Sequence, residues 1–156
     1  MLKFLKDSYR TSHLALILYS NGCLSYILSV EGLYKGKFIF SGYKWFNSMN
    51  FFTSNSQYSN IIQQLPIGNS ILLGLCPLGL EISNVELQPG KGGQLCRSAG
   101  VFCIIVKKFE RNVVVKLKSG WCMLLLNNCM ATLGITSNIQ HQYFIYKKAG
   151  FKRNLG

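Results

Sequence analysis

The segment that most constrains the fold is residues 84–100, which read NVELQPGKGGQLCRSAG. Its centre, PGKGG at residues 89–93, is incompatible with a helix or a regular strand, because proline has a fixed φ and lacks an amide donor while glycine readily adopts positive φ. We expect this loop to hold Lys91 among free backbone amides. Arg97 and Ser98 follow it closely. A cation, amides and a hydroxyl on a loop with few side chains suit the close approach of a phosphate backbone.

Two other interpretations of the loop are open at this point. A plain turn between two strands is common in small β proteins. A nucleotide-binding or phosphoryl-transfer enzyme that uses Lys91 is the second, although the loop lacks the spacing of a Walker motif and no G-x-G-x-x-G follows a strand. The sequence also has no acidic pair suited to a metal, and only His13 and His141 could serve as bases. We therefore predict a protein that is not an enzyme, with no catalytic residues and no cofactor.

The charge of the chain is strongly positive and unevenly distributed. Its 156 residues, enough for one ordinary domain or two small ones, include 17 Lys and Arg but only 5 Asp and Glu. Residues 1–83 carry six basic and three acidic side chains, whereas residues 84–156 carry eleven and two. This excess predicts a polyanionic partner that is met mainly by the second half.

An anionic membrane surface is the competing partner for such a chain. No apolar run approaches the ~18 residues needed to span a bilayer. The first six residues, MLKFLK, have two lysines but no long apolar region, so they are not a secretory signal. The sequence therefore predicts no membrane span.

The six cysteines predict neither a zinc site nor a set of disulfides. They form no C-x-x-C pair, and no histidines accompany them at finger spacing. We interpret them as free thiols that pack mostly as small hydrophobic side chains, and we predict no metal site.

Short apolar segments separated by turns indicate an all-β chain with little helix. The predicted strands are residues 13–19, 23–30, 37–40, 71–75, 101–107, 113–117 and 121–126. We predict a polar, basic arm over residues 1–12, an inserted, aromatic and Asn/Ser-rich segment over residues 43–65, and a turn of helix near residues 128–133.

Several cations are expected to form one surface for nucleic acid. Lys116 and Lys118 occupy alternate positions of one predicted strand and should share a face. A solvated edge whose lysines prevent aggregation is the plainer interpretation, but the missing acidic partners argue against it. The predicted contact residues are Arg10, Lys91, Gly92, Gly93, Gln94, Arg97, Ser98, Lys107, Lys116, Lys118, Lys147, Lys148, Lys152 and Arg153.

The same motifs resemble a known family. NVELQPGKGGQLCRSAG, the later CMATLG and KKAGFKR, and the earlier YRTSHLALILYSNG and YILSVEGL are similar to the universal large-subunit ribosomal protein L-two family. The resemblance covers most of the chain apart from about residues 43–65. It implies an incomplete oligonucleotide-binding-type barrel over residues 1–70, then an SH3-like barrel with a basic tail over residues 71–156.

The resemblance also implies a function and partners. It implies a structural role in the large ribosomal subunit, in which the protein binds and stabilises ribosomal RNA near the peptidyl-transferase region beside neighbouring ribosomal proteins. The family usually has Arg where Met130 stands and Trp where Asn154 stands, and it has further strands upstream of Arg10. It also continues with a basic extension bearing a His-x-His-Gly-Gly-Gly region. These departures suggest a split protein whose remaining parts are separate chains.

Codon-linked composition indicates the compartment. The sequence is rich in Lys, Phe, Tyr, Ile and Asn and poor in Ala, as in proteins encoded by AT-rich organelle genomes. We therefore predict a mitochondrial protein, with the plastid as the less favoured location.

Overall fold

The computed structural model describes residues 1–42, 66–148 and 150–154. In these residues the regular secondary structure is mostly β-strand, with one 3-10 helix, Ile139–Tyr143, and one four-residue α-helix, α1, Phe151–Asn154. The strands are β1 Lys3–Lys6, β2 His13–Leu18, β3 Leu24–Leu28, β4 Ser70–Leu72, β5 Glu81–Ser83, β6 Val85–Glu86, β7 Gly93–Leu95, β8 Cys103–Lys108, β9 Asn112–Leu117, β10 Cys122–Leu126 and β11 Met130–Leu133. The all-β fold class predicted from the sequence is confirmed.

The first three strands form an antiparallel sheet in the order β1-β2-β3. Its β2–β3 hairpin turns at Asn21 and Gly22, as expected of an Asn-Gly pair: Gly22 has φ +83°, and the Cys23 amide donates to Asn21 Oδ1 at 3.0 Å. Alternate residues of β2 face opposite sides of the sheet, and Ala15 and Ile17 are buried on one of them. This sheet forms the oligonucleotide-binding-type part of the fold.

The second sheet contains six strands in the order β10-β9-β8-β5-β11-β4. It curls around a core of aliphatic side chains, which gives the SH3-like part of the fold. A register shift between Ile105 and Lys107 marks a bulge in the β8–β9 pair, a device that sharpens the bend of a strand. The most deeply buried large side chains of this core are Ile71, Leu73, Ile82, Ile105, Val113, Val115 and Leu133.

The two sheets are joined by hydrogen bonds from both backbone and side chains. Val30 and Thr136 form an isolated antiparallel bridge, the Glu31 amide donates to the Ile135 carbonyl at 2.8 Å, and the Ser137 amide donates to the Ser29 carbonyl at 3.0 Å. We call this contact between residues 28–31 and residues 134–138 the seam. Because these groups are mostly buried, the seam fixes one sheet against the other.

Some sequence-based expectations are wrong in detail. The predicted N-terminal arm contains β1, so a strand does lie upstream of Arg10. The segment near residues 128–133 is β11 and not a turn of helix, because its alternate residues pair with β4 on one side and β5 on the other. Residues 37–40 form no strand, although the adjacent Ser41 forms a parallel bridge with Ser70. The predicted insertion, residues 43–65, lies outside the described residues.

The cysteines follow the expectation of free thiols, and Cys76, Cys103 and Cys129 are buried. Burial raises the pKa of Cys76 to about 12, because the thiolate would lose its hydration, and nearby Lys108 opposes this only weakly. A hydrogen bond with Cys96 and burial raise the pKa of Cys103, and burial raises that of Cys129, so these three buried thiols act as neutral packing groups.

The core of the second sheet gives a first prediction. Ile82 is fully buried at the centre of the six-stranded sheet, so Ile82→Ala should lower the free energy of unfolding by about 2–5 kcal/mol. Leu124→Ala is the matched control, since Leu124 is 61% exposed and its truncation should change stability by less than about 0.5 kcal/mol. Urea denaturation of both variants measures this, and equal losses would contradict the assignment of the core.

Candidate nucleic-acid interface

The glycine loop is organised by the carboxylate of Glu86, which is 7% exposed. Glu86 Oε2 accepts hydrogen bonds from the amides of Gly90 at 3.2 Å and Met130 at 3.0 Å, and Oε1 accepts one from the amide of Gly92 at 3.0 Å. The Lys91 amide donates to the Gln88 carbonyl at 3.2 Å, which closes a turn at the tip of the loop. Glu86 thus fastens the loop to the start of β11 and leaves the Lys91 side chain exposed.

These contacts correct one expectation about the loop. The amides of Gly90, Lys91 and Gly92 already donate hydrogen bonds to acceptors within the protein. They therefore do not surround Lys91 as free donors. A phosphate cradle of the P-loop kind needs those donors. The nucleotide-binding interpretation therefore loses its structural basis at this loop. Any contact between the loop and an anion must come from side chains.

Glycine is required at Gly93 for a steric reason. A Cβ placed there would collide with the side chain of Asn84 and come within 2.6 Å of the Asn84 carbonyl oxygen. Asn84 itself has φ +49°, and its amide donates to the Cys96 carbonyl at 3.1 Å. The close β6–β7 pair thus sets the direction in which the chain leaves the loop toward Gln94, which is exposed.

The segment that carries Arg97 and Ser98 is tied to the first sheet. Ser12 Oγ donates to the Arg97 carbonyl at 3.2 Å, and the Ala99 amide donates to Thr11 Oγ1 at 3.1 Å. Arg97 and Ser98 remain exposed. These bonds bring the backbone of residues 97–99 beside residues 11–12, directly after Arg10.

Arg10 lies at this junction but has an internal partner. Its Nε is 3.3 Å from Asp7 Oδ2, in a partly exposed ion pair. An exposed pair of this kind contributes little stability and can exchange for another anion. The other guanidinium nitrogens are not involved in this pair, so Arg10 is still able to contact a phosphate.

The lysines predicted for the six-stranded sheet do not all lie on its strands. Lys107 is exposed on β8, and Lys116 is exposed on β9. Lys118 lies beyond the end of β9 in a turn, where its Nζ donates to Gln142 Oε1 at 2.6 Å. The predicted pairing of Lys116 with Lys118 on one strand face is therefore wrong, because the strand ends at Leu117.

A neighbouring lysine is held by the backbone. Lys108 Nζ donates to the Gly74 carbonyl at 2.8 Å, and partial burial lowers its pKa. Lys108 therefore anchors β8 to residue 74 and is less available to an external anion than Lys107.

The basic tail is held by aromatic side chains. The ring of Phe144 lies 5.1 Å from that of Tyr146 and 6.3 Å from that of Phe151, which begins α1. Lys147, Lys148 and Arg153 are exposed around this cluster, while Lys152 lies within α1. Aromatic contact thus orders a segment that its charge alone would leave extended.

The most informative residues that sequence reasoning missed are Glu86, Thr11 and Ser12. Glu86 could have been noticed as one of only five acidic residues, placed just before the glycine loop. Thr11 and Ser12 give no local signal, because their partners lie more than 80 residues away.

The described residues contain no candidate metal site and no candidate membrane-spanning helix. Residues 1–42, 66–148 and 150–154 contain no cluster of three or more His, Cys, Asp or Glu side chains that could hold a metal ion. No helix in the same ranges is long and apolar enough to cross a membrane.

An all-β chain with a three-stranded sheet, a curled six-stranded sheet, a fastened glycine loop and a large excess of cations belongs to the class of small basic β-barrel proteins. Residues 66–156 match the family described as "Ribosomal Proteins L2, C-terminal domain", and residues 2–41 match "Ribosomal Proteins L2, RNA binding N-terminal domain". The chain belongs to the L2 family of ribosomal proteins, as the resemblance of its motifs predicted.

Individual relatives agree with this assignment. The chain is 37% identical over 150 residues to "Large ribosomal subunit protein uL2" of Amoebophilus asiaticus (strain 5a2). It is 39% identical over 150 residues to proteins called "Large ribosomal subunit protein uL2c" in Helicosporidium sp. subsp. Simulium jonesii and Psilotum nudum. Each match covers 96% of this chain but only 47–48% of the relative, so the chain spans about half the length of these relatives.

The role of Glu86 gives a second prediction. Glu86→Gln replaces one acceptor oxygen with a donor that faces a backbone amide, so it should lower the free energy of unfolding by about 1–3 kcal/mol. Hydrogen exchange should accelerate at the amides of Gly90, Gly92 and Met130. Glu110→Gln, at an exposed carboxylate, is the control and should change neither quantity. Unchanged exchange in Glu86→Gln would show that other contacts hold the loop.

Proposed function

We propose that this chain is a structural, non-enzymatic constituent of the large ribosomal subunit that binds and stabilises ribosomal RNA near the peptidyl-transferase region. The observation that carries the proposal is the glycine loop of an L2-family chain, fastened by Glu86 so that Lys91 projects from it. The loop amides are already satisfied, and the sequence has few acidic side chains to neutralise its cations. Both features favour a passive polyanion-binding surface over a catalytic one.

The proposed mechanism is neutralisation and positioning of RNA phosphates. Gly90 and Gly92 have positive φ and open space where a Cβ would lie, so the loop tip is narrow and can enter a crowded RNA junction. Lys91 then contributes a point charge at the tip, and Arg97 can offer its planar fork to a phosphate beside it. Ser98 adds a hydroxyl donor.

The proposed contact surface includes more than the loop. Most of its members are exposed to solvent. Gly93 is included because it shapes the loop, and Lys152 because of its place in the tail motif. The full set is Arg10, Lys91, Gly92, Gly93, Gln94, Arg97, Ser98, Lys107, Lys116, Lys118, Lys147, Lys148, Lys152 and Arg153.

The finer parts of the proposal concern organisation, compartment and neighbours. We propose two structural units, residues 1–70 and 71–156, within a mitochondrial ribosome, which the codon-linked composition favours over a plastid one. We also propose that neighbouring ribosomal proteins contact the chain. These neighbours would include separate chains that supply sequence present in the longer relatives.

Salt dependence of RNA binding tests the contact surface. If Lys91 and Arg97 each neutralise a phosphate, Lys91→Ala and Arg97→Ala should each weaken binding to a large-subunit RNA transcript and reduce the slope of log K against log [salt] by about 1. Filter binding at several salt concentrations measures both. Lys35→Ala removes an equal charge outside the proposed surface and is the control. Equal slopes for all four proteins would refute the assignment of these contacts.

Sedimentation of organelle lysates tests the cellular role. The chain should co-migrate with the large ribosomal subunit of purified mitochondria, and RNase treatment should release it. Co-migration only in plastid lysate would show that the compartment is the plastid. Sedimentation of the chain that does not change after RNase treatment would contradict the ribosomal role. Identification of the proteins crosslinked to the chain in the intact subunit tests the proposed neighbours.

A further inference from the structure

A cavity of about 330 Å³ opens at the seam between the two sheets. It lies on a different part of the molecule from the glycine loop, and the contact surface proposed above does not include its walls. The lining residues come from β1, β2, the segment that follows β3, and the start of the 3-10 helix with the two residues before it: Phe4, His13, Ser29, Val30, Glu31, Gly32, Leu33, Ser137, Asn138, Ile139 and Gln140. This volume lies within the range of small-molecule binding sites.

One buried hydroxyl on the cavity wall has no partner. Ser29 is 1% exposed, and its Oγ makes no hydrogen bond, although its backbone amide donates to the His13 carbonyl and its carbonyl accepts from the Ser137 amide across the seam. An unsatisfied buried hydroxyl is destabilising and therefore needs an explanation. A ligand that enters the cavity and hydrogen-bonds to Ser29 Oγ provides one.

The lining chemistry indicates the class of ligand. Phe4 and His13 supply partly buried rings, and Asn138 and Gln140 are side chains with amide groups. None of the lining residues in the described part of the chain is Lys or Arg, and Glu31 is among them, so a phosphate group is disfavoured inside. Flat rings combined with neutral donors and acceptors suit a nucleobase, which stacks through its faces and hydrogen-bonds through its edge.

The surroundings of the cavity suit the rest of a nucleotide chain. Lys6 is directly opposite His13 in the β1–β2 register and is exposed beside the cavity. His13 also follows Thr11 and Ser12, which are bonded to the segment that carries Arg97. Cations therefore lie outside the cavity while neutral groups lie within it, an arrangement that separates phosphate from base.

We propose that this cavity, here called the base pocket, receives one unpaired base of the RNA that the chain binds. The inference rests on the proposed function and deepens it, because it adds a base-binding site to a surface that otherwise contacts phosphates. The pocket would fix the position of the chain on the RNA, since a single inserted base defines one register whereas phosphate contacts do not.

The test compares two serines whose buried hydroxyl groups both lack a hydrogen-bond partner. Ser29 and Ser83 are both buried with an unpartnered Oγ, but Ser83 lies in β5 and does not line the cavity. Neither Ser29→Ala nor Ser83→Ala should destabilise the fold, because each removes an unsatisfied group. Filter binding of the full chain to a large-subunit RNA transcript should show a two- to tenfold loss of affinity for Ser29→Ala, about one hydrogen bond, and no loss for Ser83→Ala.

Salt dependence separates this inference from the proposed function. Ser29→Ala should weaken binding without changing the salt slope, because the base pocket contacts no phosphate, whereas Lys91→Ala should reduce the slope. Absence of RNA binding by the wild-type chain would refute the proposed function itself. Wild-type binding with equal affinities for both serine variants would refute the base pocket alone.

Photocrosslinking provides a second measurement that does not depend on a substitution. Ultraviolet irradiation of the chain with the transcript, followed by nuclease and protease digestion, should yield a nucleotide attached to the peptide containing Phe4 or His13. Crosslinks confined to the glycine loop and the basic tail would refute the base pocket. Free nucleoside monophosphates should protect these peptides only weakly; strong protection, with no loss of RNA affinity in Ser29→Ala, would mean a free-nucleotide site and would also refute the base pocket.

Discussion

The buried carboxylate of Glu86 is the interaction on which the presentation of the glycine loop depends. A five-residue loop with three glycines has high conformational entropy, and its shape must come from contacts outside it. Glu86 supplies them, because its two oxygens accept hydrogen bonds from the amides on both sides of Lys91 and from the Met130 amide at the start of β11. The same carboxylate therefore determines the position of a cation and joins the β6–β7 pair to β11 of the second sheet.

The seam and the neighbouring hydrogen bonds of Thr11 and Ser12 have a comparable role at a larger scale. Short hydroxyl side chains of Thr11 and Ser12 bond to the backbone at Ala99 and Arg97, and the backbone at residues 29–31 pairs with residues 135–137. These bonds place the end of the glycine segment against the first sheet. The seam also encloses the cavity in which Ser29 Oγ is unsatisfied, so neighbouring contacts place the cations and form the proposed base pocket.

Two of the five acidic residues of this chain have structural partners. Glu86 binds the loop amides, and Asp7 pairs with Arg10. In the described residues, Asp7–Arg10 is the single ion pair between side chains, so most cations have no internal counter-charge. Such a surface repels itself and is stabilised by an external polyanion. The excess charge and the scarcity of ion pairs in the described residues thus both favour the proposed polyanionic partner.

Strong local patterns in the sequence predicted much of the fold. The strands near residues 13–18, 103–108, 112–117 and 122–126 are dense in β-branched and other apolar side chains, and Asn21-Gly22 specifies its own hairpin. The prediction was wrong where the signal is short or depends on pairing. Residues 3–6 and 130–133 are strands because neighbours bind them, and the end of β9 at Leu117 moves Lys118 off the strand.

The sequence by itself determined the fold class, the family and the sign of the partner's charge, because apolar spacing, the glycine motif and net charge are local or additive properties of the chain. Only the tertiary structure decided that the loop amides are occupied, that Arg97 is placed beside the first sheet and that Ser29 lines a cavity. The last two depend on groups far apart in the chain that meet in space, and the loop amides are held by a Glu86 carboxylate that also binds Met130, 44 residues away. No local pattern encodes such a meeting, because the intervening strands must first pack to bring the partners together.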